Sequence, residues 1–365
     1  MEYVDLLKTT IDTTYPKYLQ EKIIKILMKN NVIASEENLF TVSGTTVKVE
    51  EKSFINQINA ALEYKSLETI KTIEELEYYN AYKYSTIFNC NNYDENIVNK
   101  LIDTGNILRY DEINHDICVD FNKSGNFIPT FRKVNATIDC LKFSNQIQGF
   151  IPFENSTIQI KYPILVLIHK DLNTVEIRLN YVKNMFKNND DNFYEKQIRF
   201  VKSWIEKYLH LNLEPVNMSP ILDYLRRKLT DDANVKIAAQ KMVLATGSKA
   251  ILDTGINDEL VLPLLGELKN LIADNSKLFD ANDQTKEIKE LLDNFIYETE
   301  ETALFPWISL TWTNEVKSKA VKVKFILDQE FTLLYYYGNN AGMERMNDVT
   351  KYLIDCQREY LGQKT

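Results

Sequence analysis

Apolar residues recur at helical spacing in several long stretches of this chain. Between residues 191 and 209, Tyr194, Ile198, Val201, Ile205 and Tyr208 are separated by four, three, four and three positions. That spacing predicts one helix with a single buried stripe. The same argument predicts helices at about 16–30, 52–62, 66–80, 219–228, 258–273, 283–299 and 342–361.

Alternating apolar and polar residues predict strands in two parts of the chain. In the first part, strands are expected at 117–121, 136–143, 157–160, 162–169 and 174–180. The last two form a hairpin in which the first arm is central and the second is half-exposed. In the second part, strands at 306–313, 320–327 and 331–337 form a meander. Lys322 and Lys324 alternate with Val321, Val323 and Phe325, which predicts one basic face and one apolar face for its middle strand.

These elements predict an α+β protein with mostly antiparallel sheets, segregated helices and more than one domain. The chain has 365 residues, 44% of them apolar, and so exceeds the length that one core usually serves. We expect a mainly helical N-terminal domain with a small hairpin at 1–80 and a β-rich domain at 81–190. An α+β domain at 191–365 would hold basic helices, acidic helices, the meander and the final helix.

The net charge of the chain is concentrated in one segment. Residues 253–301 hold thirteen Asp or Glu and four Lys, a net of −9 that equals the net charge of the whole chain. Basic residues cluster just before this segment, at 194–228. Surfaces of opposite charge influence the choice of partner more than they influence the fold. The acidic helices at 253–301 and the basic helices at 194–228 are therefore the predicted contact surfaces.

Nine basic residues are the predicted contacts with a partner or with phosphate. They are Lys196, Arg199, Lys202, Lys207, Arg226, Arg227 and Lys228 on the basic helices, and Lys322 and Lys324 on the meander. Only eight of the 43 basic residues are Arg. Because Lys lacks the planar fork with which Arg reads guanine or clamps phosphate, the composition favours another protein subunit over nucleic acid as the partner.

Residues typical of catalysis are sparse. The four cysteines and three histidines show no metal-ligand spacing, and no glycine-rich phosphate loop is present, so no cofactor or metal is expected. Gln159 and Lys161 lie two residues apart on a predicted strand, and Asp139 lies on the strand before it. This set resembles the D…Q-x-K variant of a restriction-type nuclease centre, which implies a metal-dependent enzyme. An amphipathic strand with Gln159 and Lys161 in water explains the same pattern.

The sequence favours a non-catalytic binding or adaptor subunit of a larger assembly. No signal peptide and no apolar run of membrane-spanning length is seen, so the expected location is the cytoplasm, away from any membrane. Motif-poor chains of this kind are common among accessory proteins of bacterial mobile-element and phage-defence systems. The first alternative is a nucleic-acid-associated protein that uses the bases of 194–228 and 317–324 on phosphate. The second is the metal-dependent enzyme with Asp139, Gln159 and Lys161.

Overall fold

The protein divides into two compact units, Met1–Pro215 and Val216–Thr365. The structure is a computed structural model and describes residues 2–33, 39–42, 45–48, 53–113, 115, 117–119, 128–153, 155–187, 190–228, 235–243, 249–253, 263–302, 304–314, 317–327, 330–337 and 342–362. The fold class is α+β, as predicted. The domain boundaries predicted near residues 80 and 190 lie inside the first unit, because the helices before residue 80 pack on the strands that follow them.

The first unit begins with a helical layer, and a small hairpin follows its second helix in the chain. Its apolar residues form one buried cluster that includes Leu7, Ile23, Ile58 and Ile73. Each helix contributes an apolar stripe to this cluster, as the helical spacing predicts. The elements are α1 Tyr3–Thr14, α2 Lys17–Lys29, β1 Leu39–Val42, β2 Thr45–Lys48, α3 Phe54–Tyr64 and α4 Ser66–Tyr79.

The sheet of the first unit is built around a long hairpin of two fourteen-residue strands. Its strands follow the order β3-β9-β8-β7-β6-β4, with β10 beside β3 and β5 beside β7, and all pairs except β4/β6 and β5/β7 are antiparallel. The elements are β3 Tyr84–Cys90, α5 Glu95–Asp103, β4 Leu108–Arg109, β5 Cys118–Val119, β6 Thr130–Lys133, β7 Ile138–Ile151, β8 Ser156–His169, β9 Thr174–Leu179, α6 Phe193–Leu209 and β10 Leu213–Pro215, with 3₁₀ turns at Tyr110–Glu112 and Asn184–Phe186.

Helices cover both faces of this sheet. On one face α1 runs along β8, where the Thr10 hydroxyl accepts a hydrogen bond from the backbone N–H of Lys161 at 2.8 Å. On the other face Trp204 of α6 packs edge-on against Phe143 of β7, with ring centroids 5.2 Å apart. Consequently all six residues of β9 are buried. The prediction that β9 is half-exposed is wrong, because the N-terminal helices cover the face that its polar residues occupy.

The second unit contains a five-stranded antiparallel sheet in the order β12-β11-β13-β14-β15. The predicted meander and final helix are confirmed, whereas the alternation in β11 and β12 was not recognised in the sequence. The elements are α7 Met218–Lys228, β11 Val235–Val243, β12 Lys249–Asp253, α8 Pro263–Asp274, α9 Ser276–Phe279, α10 Asp283–Thr302, β13 Leu304–Asn314, β14 Lys317–Leu327, β15 Thr332–Tyr337 and α11 Met343–Gly362. Within the described parts of the chain, no helix combines the length and the apolar character needed to cross a membrane.

Candidate functional site

Three of the four predicted basic residues of α6 are paired with acids of their own neighbourhood, and the fourth lies over an aromatic ring. Lys196 Nζ lies 2.7 Å from an oxygen of Asp190, and Lys202 Nζ lies 2.6 Å from one of Glu206. Arg199 contacts Glu195 at 3.5 Å, and Lys207 lies over the Tyr208 ring at 4.9 Å from its centroid. Three of these bases therefore already have a carboxylate beside them. A phosphate backbone would have to compete with each carboxylate for its base.

The other predicted contact residues lie in the second unit. Arg226, Arg227 and Lys228 end helix α7, and their side chains, like that of Lys322 on β14, lie outside the described side chains. The structure therefore assigns the bases of α6 and those of α7 to different units. Lys324 is half-buried on β14, opposite Tyr335 of β15.

The structure does not bring Asp139, Gln159 and Lys161 together. Asp139 lies opposite Ile168 in the β7/β8 hairpin, whereas Gln159 lies opposite Gln148. Ile168 and Lys161 are seven positions apart along β8, or about 23 Å at 3.3 Å per residue. The prediction assumed two short strands, but β8 is one long strand and its register carries Asp139 to the far end. Lys161 is also 1% exposed, so it does not face water.

Lys161 belongs instead to a buried ionic cluster beneath α4. Its Nζ lies 2.7 Å from Glu77 Oε2, and the Nζ of Lys142 lies 2.9 Å from the same oxygen. Glu74 is 3.8 Å from Lys161, and the Glu74 carboxylate also accepts a hydrogen bond from the hydroxyl of Tyr3. The four charged side chains are at most 2% exposed. Two acids thus compensate two bases where neither could be hydrated.

Three further polar residues continue this charge pattern along the same face of the sheet. The register places Lys142, Leu165 and Arg178 in one row, and Glu176 and His169 in the following rows. Arg178 Nη2 lies 2.7 Å from Glu176 Oε2, and His169 Nε2 lies 3.4 Å from it. Burial by itself would raise the pKa of Glu176, but the charge of Arg178 and the hydrogen bonds from His169 and Arg178 outweigh it and lower the pKa to about 2.

We call these six charged residues, Glu74, Glu77, Lys142, Lys161, Glu176 and Arg178, the buried ionic layer. Three acids face three bases, and all six are closed to solvent. Solvent closure and internal pairing suit a structural role, in which the pairs fix how α4 and α1 lie on the sheet. Part of the signal for this layer was present in the sequence, because Lys142 stands between Leu141 and Phe143, and Arg178 between Ile177 and Leu179.

A cavity of about 290 Å³ lies where β3 ends and the β8–β9 turn begins. Cys90, Tyr93, Glu95 and Lys170 are among its lining residues. Burial raises the pKa of the Cys90 thiol to about 11, so this thiol is protonated near neutral pH and is a poor nucleophile. Beside the cavity, Asp139 accepts hydrogen bonds from the Tyr93 hydroxyl at 2.7 Å and from Lys170 at 3.2 Å. These charges compensate one another, so the cavity contains no activated acid, base or nucleophile that the geometry identifies.

The acidic helices carry a different kind of feature, an exposed apolar stripe. Ile288, Leu291 and Phe295 of α10 are 51%, 65% and 59% exposed, and their spacing of three and four residues places them on one side of the helix. Ile296 on the neighbouring side is buried. Three further large apolar residues of this region are exposed: Leu271 on α8, Leu278 on α9 and Tyr297 on α10. The sequence identified this segment by its charge alone and missed the stripe.

Among the described residues, no three His, Cys, Asp or Glu side chains converge closely enough to hold a metal ion. No protein-family model matches the chain, and no curated protein is similar to it in sequence.

Proposed function

We propose that the chain is a non-catalytic binding or adaptor subunit of a larger cytoplasmic assembly, and that α10 provides its main protein contact. The observation that carries the proposal is the exposed stripe of Ile288, Leu291 and Phe295. Full burial of one such side chain stabilises a complex by about 1.5–3 kcal/mol, so covering three half-exposed ones supplies several kcal/mol. Clustered apolar side chains on an otherwise charged helix are typical of protein interaction sites.

The charges around the stripe indicate the chemistry of the partner. Glu287 lies one helical turn before Leu291, and Glu298 lies three residues after Phe295, so both acids border the stripe. The two lysines of this helix face acids of the same segment: Lys289 lies 3.2 Å from Asp280, and Lys286 lies 3.9 Å from Asp283. The border of the stripe is therefore acidic. An amphipathic segment with Leu or Phe on one side and Lys or Arg beside it is complementary to this surface.

A second copy of this chain is a poorer match for the stripe. Two α10 helices would bring like charges together, and like charges at an interface are unfavourable. The basic helix α6 has no free apolar stripe to offer, since Ile198, Val201 and Ile205 are buried. We therefore assign the stripe to a different protein. The shortage of catalytic motifs agrees with an accessory role, of which bacterial mobile-element and phage-defence systems provide many examples.

Replacing Ile288, Leu291 and Phe295 together by Ser is expected to abolish co-purification of the partner while leaving the fold unchanged. The three side chains already contact water, so their loss removes little folding energy but most of the apolar contact area. The measurement is photo-crosslinking from a photoreactive amino acid at position 291 or 295 in the cells that produce the protein, followed by mass spectrometry.

The matched control uses Phe153, a fully exposed aromatic residue that stands apart from the stripe. One protein species should crosslink from positions 291 and 295 but not from 153, and its crosslinked segment should be basic and amphipathic. A triple Ser variant that co-purifies with the same proteins as the wild type would contradict the proposal. So would crosslinks that are equal at all three positions.

A further inference from the structure

Helix α2 carries a row of lysines on the side that faces away from the core. Lys22, Lys25 and Lys29 are exposed and stand three and four residues apart, so they lie on one side of the helix. We call these three residues the α2 lysine row, which is about 10 Å long at 1.5 Å per residue. The opposite side of the helix holds its buried residues, Leu19, Ile23, Ile24 and Leu27. The row therefore projects into water.

Within α2, the positive charge of the row is only partly compensated. Glu21 is the single acid of the helix, and its carboxylate lies 2.5 Å from Lys25 Nζ. Lys22 and Lys29 form no ion pair with any carboxylate among the described residues. Helix α6 differs in this respect, because three of its four bases have a carboxylate beside them. Unpaired positive charge is thus a property of α2 and not of the helix that the sequence favoured.

Acids on the neighbouring helices do not neutralise the row either. Helices α3 and α4 pack against α2 and carry five acids. Glu63 pairs with Lys8, and Glu75 pairs with Arg132. The two α4 acids of the buried ionic layer are closed to solvent. Glu68, the remaining acid, forms no ion pair with a lysine of α2 in the part of the chain that the structure describes. An anion from outside can therefore reach Lys22 and Lys29 without displacing a carboxylate.

The composition of the row favours a nucleic-acid duplex over other anionic partners. Interfaces between proteins are depleted in lysine and depend on apolar anchors, whereas interfaces with nucleic acid are much more positively charged. Beside the row, Tyr18 is 38% exposed, but Ile26 and Met28 pack against the core and offer no anchor. A membrane surface would require inserted apolar side chains or a larger basic cluster.

We propose that the α2 lysine row binds the phosphate backbone of a nucleic-acid duplex. A DNA duplex carries one phosphate per about 1.7 Å of its axis, so each lysine of the row has a phosphate within reach. Lysine lacks the planar fork of arginine, so these contacts position a duplex without reading its sequence. The row lies on the first unit and the α10 stripe on the second. The chain would thus present a nucleic-acid contact and a protein contact on separate units.

The test is fluorescence anisotropy of a labelled DNA duplex of mixed sequence with the full-length protein, over a range of low salt concentrations. Three phosphate contacts predict a slope of log K against log salt of about −2.7, at about −0.9 for each contact. Lys22→Gln, Lys25→Gln and Lys29→Gln should each reduce the steepness of this slope by about 0.9, and the triple variant should not bind. Lys and Gln have similar helix propensities and the three positions are exposed, so the melting temperature should not change.

The matched control is Lys196→Gln, which removes an exposed helical lysine that is already paired with Asp190 and should leave the slope unchanged. Wild-type protein that fails to bind the duplex at low salt would overturn the proposal. A triple variant that keeps the wild-type slope, or a Lys196→Gln variant that loses as much as Lys22→Gln, would overturn it too. Equal affinity for a single strand of the same length, for polyglutamate or for phosphatidylserine vesicles would reject a duplex as the occupant. The α10 stripe variant should bind the duplex normally, so the two proposals can fail separately.

Discussion

Replacing Glu77 by Gln is expected to lower the free energy of unfolding of the first unit by about 3–5 kcal/mol. One carboxylate oxygen of Glu77 lies within 2.9 Å of the Nζ atoms of both Lys142 and Lys161. Its other oxygen accepts a hydrogen bond from the Tyr15 hydroxyl at 3.1 Å. A neutral amide removes the negative charge that faces both buried ammonium groups. Hydration cannot compensate, because both lysine side chains are fully buried.

Urea unfolding monitored by the fluorescence of Trp204 would measure this loss. Trp204 lies in the first unit, and replacing Trp307 and Trp312 by Phe in a common background makes the signal specific to that unit. The matched control is Glu63→Gln, which removes an exposed carboxylate 2.6 Å from Lys8 and should cost less than about 1 kcal/mol. If Glu77→Gln and Glu63→Gln are equally stable, the buried charges do not hold α4 on the sheet.

Local periodicity predicted many elements of the fold but not their registers. The apolar stripe of α6 and the alternation in β13, β14 and β15 predicted the correct elements, because each follows from short-range spacing. One strand of the long hairpin was predicted as two. The sequence suggests a break near Lys161, yet β8 is continuous through this residue. A lysine would be expected to end an apolar strand if its ammonium group had to reach water. The ammonium group of Lys161 pairs with the buried Glu77 instead, so the strand continues through it.

The same limitation explains what the sequence could say about function. Charge counts identified the acidic segment, but only the packing of α10 against its neighbours distinguishes the buried Ile296 from the exposed Phe295. Likewise Lys322 and Lys324 were recognised as one face of a strand, whereas their tyrosine neighbours became apparent only from the register of β14 with β15. The carboxylates that pair with the α6 lysines lie on α6 itself or just before it in the chain. The distance between each lysine and its carboxylate could nevertheless not be predicted from composition. Long-range pairing, not local propensity, limits the prediction of sites.

The protein is expected to lose stability in acid through Glu176, and a Glu176→Gln variant should lack most of that dependence. The folded-state pKa of Glu176 is about 2, below the value near 4.3 of an unfolded glutamate. A group whose folded pKa is lowered stabilises the fold above its unfolded pKa, and this contribution is lost as the pH falls through the folded value. Its pH-dependent part amounts to about 3 kcal/mol at neutral pH, and roughly half is gone at pH 3.

The burial of Glu176 and a matched control variant allow this pH dependence to be attributed to one residue. Glu176 is buried with Arg178 and His169 around it, so salt screens its contribution much less than that of an exposed carboxylate. The exposed Glu214 lies on β10 of the same unit, and Glu214→Gln should leave the pH profile unchanged. Unfolding of wild type and both variants, followed at pH 7, 5 and 3, would show the wild type approaching the Glu176→Gln variant in stability as the pH falls. A difference in the free energy of unfolding between those two proteins that stays constant across this range would contradict the prediction. It would mean that Arg178 and His169 do not lower the pKa of Glu176, and that another group balances the charge of Arg178.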